Sequence, residues 1–318
     1  MNSTSNDFLT IFNSIDFAKI KDHPNILIAA NFWEEERYHA ARFFYKYMRA
    51  VDDMVDHHKA KHKRISLDER KQFTENVKEW LTLIHASPTS NPVIRELLDL
   101  ADIFHVPLAP MEKFAGSMLY DIHHDGFPTM EAFIEYSNGA SVVPAFVFVH
   151  LNGITKNQMQ FEPPKFDAWA AATPCAMFSY LVHIIRDFQK DQLDNLNYFA
   201  DDILKKYGLT RHHLRQFAEG RPVNENFRMM IGDYYFMADF YRRKTIEIMQ
   251  QILPLHESRY QLSLQIIFDL YLMVFEKIDL ENGKFTTEEL TPTPEETRQR
   301  VYRKILEFEP LNVPLALF

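Results

Sequence analysis

Glycine is scarce in this chain, with 8 residues in 318, against a usual share of about 7%. Tight turns and glycine-built phosphate loops need positive φ angles, which glycine adopts without steric cost. A sheet-rich fold is therefore not expected. No glycine-rich segment marks a dinucleotide site either, so the sequence leaves the use of NADPH open.

Cysteine is nearly absent, and basic residues are outnumbered. The single Cys175 excludes an internal disulfide and fits a reducing compartment. A net charge of −9 argues against nucleic acid as the main partner.

Residues 1–5 lack the basic and apolar regions of a signal peptide. The longest apolar run, near residues 140–151, is interrupted by Pro144 and is too short to cross a membrane. We therefore expect a cytoplasmic protein.

Apolar residues recur at helical spacing along almost the whole chain, and hydrophobic residues make up 46% of it. Ser66 and Glu69 form the pattern of a capping box at a helix start, and Pro174 should kink the helix that contains it. The fold class expected is all-α, with an N-terminal extension over residues 1–24 and one domain over 25–310. We predict helices near residues 34–58, 66–85, 93–104, 111–125, 130–151, 166–189, 225–251, 258–280 and 294–307.

Two acidic motifs stand far apart in this helical pattern. Asp52, Asp53 and Asp56 form the first, and Asp187 and Asp191 form the second. Carboxylates four residues apart lie on one helix face, and two such pairs facing each other would line a cleft. Such a cleft suits a hard divalent cation shared with substrate phosphates. The alternative for either motif alone is an ordinary solvated helix face.

The residues around these motifs carry a family resemblance. The first lies in Tyr-x-x-x-Arg-x-x-Asp-Asp-x-x-Asp and the second in Arg-Asp-x-x-x-Asp, with 187 − 52 = 135 residues between them. Over roughly residues 25–280 the chain resembles the squalene/phytoene synthase family, the head-to-head isoprenyl diphosphate synthases. The matching residues are Tyr45, Arg49, Asp52, Asp56, Arg186, Asp187 and Asp191, with weaker echoes at Met118, Asp121 and Tyr198.

The resemblance implies a single-domain isoprenoid-synthase-type helical bundle with a central cleft. It implies Mg²⁺-dependent condensation of two prenyl diphosphates, farnesyl or geranylgeranyl, into a C30 or C40 precursor with release of pyrophosphate. The catalytic residues implied are Tyr45, Arg49, Asp52, Asp56, Asp187 and Asp191. The substrate-binding residues implied are Arg49, Asp53, Arg186 and Tyr198. The metal ligands implied are Asp52, Asp56, Asp187 and Asp191, to which His183 is added on its position.

Three departures from the family pattern bear on this interpretation. Ala29-Ala30 stands where the family has Ser-Arg, and residues 194–196 read Asp-Asn-Leu where it has Arg-Gly-Arg. Both departures remove arginines that would hold diphosphate. His183 replaces the usual Asn on the face of Asp187 and Asp191. It is either a metal ligand, which would favour Mn²⁺, or a helix residue beside the site.

These departures keep two alternative functions open. One is a prenyltransferase or terpene synthase that ionises a single diphosphate, which the missing arginines would suit. The other is a non-catalytic assembly or lipid-binding member, against which the intact Asp pairs argue. A lipid-soluble product would also fit peripheral contact with the inner face of the membrane. The sequence leaves the oligomeric state and the product open.

Overall fold

The computed structural model describes residues 3–19, 24–61, 65–85, 89–158 and 160–311, and the regular elements in these ranges are almost all helical. The all-α prediction is confirmed. A small antiparallel hairpin pairs Thr155–Asn157 (β1) with Gln160–Glu162 (β2). The α-helices are α1 Ser3–Ser14, α2 Pro24–Ala30, α3 Glu35–Lys61, α4 Leu67–His85, α5 Pro92–Ile103, α6 Pro110–His123, α7 Met130–Ser137, α8 Val143–Gly153, α9 Ala168–Arg186, α10 Phe188–Leu193, α11 Asp201–Lys206, α12 Arg211–Ala218, α13 Glu225–Ile252, α14 Ser258–Glu276, α15 Thr287–Leu290 and α16 Pro294–Leu306.

Helix α9 lies at the centre of the fold, where it packs against α13, α8 and α14. Helix α3, which carries the first acidic motif, packs against α8 on the other side of the same core. The stretches Met130–Gly153 and Ala168–Arg186 are long and apolar enough to cross a membrane, but more than half of each is buried inside the protein. Their apolar character is therefore that expected of core helices.

The helix predicted near residues 130–151 has an irregular middle. It divides into α7, a π-helical turn over Asn138–Val142, and α8. Pro144 has no N–H to donate to the preceding turn, which disfavours a regular α-helix here. Gly139 lies against α6, and a Cβ there would stand 2.2 Å from the carbonyl oxygen of Lys113. The close approach of these two helices therefore requires glycine at position 139.

One helix start was predicted from its capping residues. The capping box is present, because the backbone N–H of Ser66 donates to Glu69 at 2.9 Å and that of Glu69 donates to Ser66 Oγ at 3.3 Å. Helix α9 runs through Pro174, and the size of any kink there stays a prediction.

The first helix belongs to the segment that the sequence marks as an extension. Phe8 and Phe12 on α1 are buried, and α1 packs against α16. The guanidinium of Arg298 lies 4.8 Å from the ring centre of Phe12. The described part of the segment therefore contributes to the core, while a domain boundary at residue 24 stays a prediction.

Candidate active site

A cavity of about 500 Å³ opens between the helices that carry the two acidic motifs. One end is polar and the remaining walls are apolar. The acidic, basic and histidine side chains that line it are Arg49, Asp52, Asp53, Asp56, His57, His183, Asp187, Lys190, Asp191 and Asp194. The tyrosines that line it are Tyr45, Tyr136, Tyr180, Tyr198 and Tyr271.

Helix α3 supplies the first wall because it is amphipathic. Its buried face includes Met48, Val51 and Val55, which turns the aspartates of the first motif toward the cavity. Arg49, on the same helix, pairs with two of these aspartates. Its Nη1 donates to Asp52 at 2.7 Å, and its Nη2 lies 2.6 Å from Asp53. The first motif is thus preorganised by an arginine one turn earlier.

The carboxyl groups of Asp52 and Asp56 are hard to ionise. Burial raises the pKa of Asp52 to about 6, with Asp121 and Asp53 adding to the effect and Arg49 opposing it. Burial, then Asp52 and Asp121, hold the pKa of Asp56 well above its usual value. In the described part of the chain the Asp56 side chain has no hydrogen bond or ion pair. A cation placed here would therefore meet one carboxyl group, that of Asp56, that has no partner among the described residues.

Asp121 on α6 belongs to this acidic cluster, although it does not line the cavity. Its carboxylate accepts a hydrogen bond from Tyr136 Oη at 2.5 Å and lies 3.4 Å from Lys59 Nζ. Sequence reasoning noted Asp121 as a weak family echo but did not assign it to the site. The sequence pattern that could have identified it is Met-x-x-Asp, which Met118 and Asp121 form. Only the fold shows that Asp121 lies near Asp52 and Asp56.

The second wall crosses a break between two helices. Helix α9 ends at Arg186 and α10 begins at Phe188, with Asp187 between them. The hydrogen-bond ladder continues through the break, since Asp187 N donates to His183 O at 2.9 Å and Asp191 N donates to Asp187 O at 2.8 Å. His183, Asp187 and Asp191 therefore keep one helical face, and all three line the cavity.

Asp187 is held from two sides within its own wall. Arg186 donates to both of its oxygens, at 2.7 and 2.8 Å, and His183 Nε2 lies 2.6 Å from Oδ2. Burial acts to raise the pKa of Asp187, but His183 and Arg186 outweigh it and hold that pKa well below its usual value. Arg186, predicted to bind substrate, is not among the residues that line the cavity.

Asp191 is the counterpart of Asp56 on the second wall. Its side chain has no hydrogen bond or ion pair within the described residues, and burial together with Asp187 keeps its pKa well above the usual value. Tyr198 lies near both aspartates, because each contributes to the raised pKa of its hydroxyl after burial itself. On the first wall Arg49 thus holds Asp52 and Asp53, and on the second Arg186 holds Asp187. Asp56 and Asp191 have no such partner among the described residues.

The donor set suits a hard divalent cation that brings other ligands with it. Within the described ranges, no three Asp, Glu, His or Cys side chains are grouped closely enough to hold a metal ion by themselves. Mg²⁺ is usually held by one or two carboxylates together with waters and substrate phosphates, not by an all-protein cage. The carboxylates of the two walls fit that arrangement.

Comparison with known proteins decides the family. Residues 21–301 match the squalene/phytoene synthase family. The chain belongs to the squalene/phytoene synthase family. It is accordingly a prenyltransferase of isoprenoid biosynthesis. Membership of this family supports head-to-head prenyl condensation as the general type of reaction.

Solved structures show the same fold at low sequence identity. A dehydrosqualene synthase crystallised with a ligand is 13% identical, with a TM-score of 0.66 and coverage of 94% of this chain and 96% of that one. The squalene synthase HpnC from Alicyclobacillus acidocaldarius is 13% identical, with a TM-score of 0.60 and coverage of 84% and 91%. YisP from Bacillus subtilis is 14% identical, with a TM-score of 0.57 and coverage of 95% and 98%. No curated protein sequence matches the chain.

The positions where this family member departs from the pattern have structural roles of their own. Ala29 and Ala30 are fully buried at the end of α2. Asn195 adopts a left-handed φ of 60° after α10, and Leu196 N donates back to Asp191 O at 2.8 Å, which is a helix C-cap. Asp194 lines the cavity. At these positions the chain therefore offers the site no cation.

His183 Nε2 is already engaged with Asp187, which favours the second of its two roles, a residue beside the site that orients an aspartate. We expect His183→Asn to lower turnover about tenfold, a usual effect for a residue that orients a metal ligand. The ratio of Mn²⁺-supported to Mg²⁺-supported turnover should stay within about twofold of the wild type. A marked fall in that ratio would instead establish His183 as a direct metal ligand.

The raised pKa of Asp56 predicts a pH-dependent stability difference. An aspartate whose pKa is higher in the folded than in the unfolded state lowers the stability of the fold as pH rises from the ordinary value, 3.8, to the raised folded value, above which the loss levels off. Without metal, Asp56→Asn should therefore differ least from the wild type in melting temperature near pH 4 and exceed it increasingly as pH rises toward the raised pKa. Melting curves recorded in EDTA across that range test this. A difference that is constant with pH would show that the Asp56 pKa is not raised.

Proposed function

We propose that this prenyltransferase condenses two C15 or C20 prenyl diphosphates head to head, with Mg²⁺, into a C30 or C40 precursor and pyrophosphate. The observation that carries the proposal is the division of one cavity into two parts. Two carboxylate walls face its polar end, and apolar side chains line the rest. The apolar lining includes Phe114, Phe148, Ala176, Ile248, Met249 and Leu264. A diphosphate with a long hydrocarbon tail fits both parts at once.

The polar end would bind the leaving group. We propose Asp52, Asp56, Asp187 and Asp191 as the metal ligands, with His183 tested as described above. Bound Mg²⁺ would neutralise the charge that develops on the departing diphosphate. Arg49 lines the cavity and can donate a forked pair of hydrogen bonds to phosphate oxygens. Asp53 pairs with the same guanidinium as Asp52, so it would help to position Arg49 for the phosphates.

The tyrosines would serve the carbocation that ionisation leaves behind. Tyr136, Tyr180 and Tyr198 cluster at the cavity, with ring centres of Tyr180 and Tyr198 6.2 Å apart. Burial holds the pKa of all three hydroxyls well above the usual value, so the rings stay neutral. Neutral aromatic faces stabilise cations, and apolar walls exclude the water that would quench one. Tyr45 also lines the cavity and is proposed as a catalytic residue.

A second candidate function is ionisation of a single diphosphate. It is favoured by Ala29-Ala30 and by residues 194–196, where this chain lacks arginines that the family pattern carries. Such a prenyltransferase or terpene synthase would use the same acidic walls. Given one prenyl diphosphate and no acceptor, it would release a product no longer than the chain of that substrate.

Product analysis separates the two candidates. Purified protein is incubated with farnesyl or geranylgeranyl diphosphate and Mg²⁺, with and without NADPH, and extracts are analysed by mass spectrometry. A C30 or C40 hydrocarbon or cyclopropyl diphosphate supports the proposal, and a change in product mass with NADPH shows that an intermediate is reduced. Pyrophosphate release with only C15 or C20 products would establish the second candidate.

We also propose a cytoplasmic location with peripheral membrane contact, because the product would be lipid-soluble. Fractionation of cells, followed by a salt wash of the membranes, tests this. Protein that is found in the soluble fraction or is released by the wash fits the proposal. Protein that only detergent extracts would contradict it.

A further inference from the structure

One face of the second motif holds a cation among its acids. Residues at helical spacings i, i+3, i+4 and i+7 share a face, and the four that line the cavity at these spacings are Asp187, Lys190, Asp191 and Asp194. Two of the side chains between them are held elsewhere. Phe188 packs on Phe227 with ring centres 4.8 Å apart, and Gln189 donates to the carbonyl of Ala218 at 3.2 Å. These contacts fix which face α10 turns to the cavity.

Lys190 differs from the other cation that lines the cavity. Arg49 is engaged with Asp52 and Asp53. The Lys190 ammonium has no hydrogen bond or ion pair with any described residue. It lowers the pKa of Asp191 only in part, against the larger effects of burial and Asp187. Its side chain is exposed at the edge of the cavity, where it can meet an incoming ligand without breaking an internal contact.

The charge balance of the cavity calls for such a cation. Six aspartates line the cavity against Arg49 and Lys190, and a diphosphate adds more negative charge. The aspartates would hold the metal ions, and a diphosphate bound with them would still need positive charge from the residues of the cavity. The residues that follow α10, Asp194, Asn195 and Leu196, supply no positive charge.

We propose that Lys190 binds the diphosphate oxygens of the substrate. An ammonium binds phosphate as a compact point charge. The inference rests on the proposed function, because that function supplies the diphosphate.

The test measures binding of inorganic pyrophosphate with Mg²⁺ to the full chain by isothermal titration calorimetry. Lys190→Met should weaken the affinity about tenfold, the scale expected for loss of one charged hydrogen bond. Lys190→Arg should retain affinity to within about threefold. The matched control is Lys205→Met, which removes an exposed lysine of α11 that does not line the cavity and should bind as the wild type does.

The possible results distinguish a failure of the proposed role of Lys190 from a failure of the proposed function. Wild-type binding that is equal in Lys190→Met, or equal losses in the Met and Arg variants, would overturn the role of Lys190 and leave the function standing. No pyrophosphate binding by the wild type with Mg²⁺ would overturn the proposed function and this inference with it. A steady-state readout adds a second check, because Lys190→Met should raise KM for prenyl diphosphate more than it lowers kcat.

Discussion

Asp56→Asn and Asp191→Asn should each lower turnover of prenyl diphosphate by about 10³-fold, because each removes an electrostatic group that would stabilise the departing diphosphate through bound metal. Neither substitution breaks a side-chain hydrogen bond or ion pair within the described structure. Each also removes a carboxylate whose pKa burial raises. The melting temperature without metal at pH 7.5 should therefore stay level or rise, while activity falls.

The pairing of lost activity with kept stability is what identifies a functional carboxylate. Steady-state pyrophosphate release and melting curves on the same preparations give both quantities. Asp102→Asn is the matched control, since Asp102 is exposed on α5 and does not line the cavity. Turnover within tenfold of the wild type in either test variant would reject the metal-binding role of that wall.

Arg37→Met should lower the free energy of unfolding by about 3–5 kcal/mol, because several buried carbonyl groups lose a charged hydrogen-bond donor at once. Arg37 is only 1% exposed, and its Nη1 donates to the carbonyls of Leu151 at 3.1 Å and Ile154 at 3.2 Å, where α8 ends. Its guanidinium also lies 4.0 Å from the ring centre of Tyr260. The substitution leaves buried carbonyls without donors and Glu34 without its cation.

Urea denaturation measures this loss. Arg95→Met is the control, because Arg95 is exposed and, within the described ranges, its guanidinium bonds only to the carbonyl of Thr89. That variant should lose less than about 1 kcal/mol. An equally small loss in Arg37→Met would show that the α8 end is held without this arginine.

The sequence predicted long helices and both acidic motifs because these depend on local periodicity. Helix α3 carries its motif on a regular amphipathic helix, so the positions of Asp52 and Asp56 followed directly. The break at Asp187 did not follow, because the apolar pattern continues through it and the hydrogen-bond ladder is kept.

Which side chains contact each other was harder to predict from the sequence than which residues share a helix face. Arg186 matches a family position for substrate binding, yet its guanidinium bonds to the adjacent Asp187. Asp121 joins the first motif only when α6 packs beside α3. Lys190 shows the opposite case, since its spacing already places it on the face of Asp187 and Asp191. Only the structure shows that it has no partner among the described residues.

The most direct test of the account is pyrophosphate release from farnesyl diphosphate by the wild-type protein, measured with Mg²⁺ and again with EDTA, while organic extracts are analysed for C30 products. The account predicts release that requires the metal, is accompanied by a C30 product and disappears in Asp56→Asn. Release that continues in EDTA, or no release with saturating Mg²⁺, would contradict a metal-dependent prenyl condensation in this cavity.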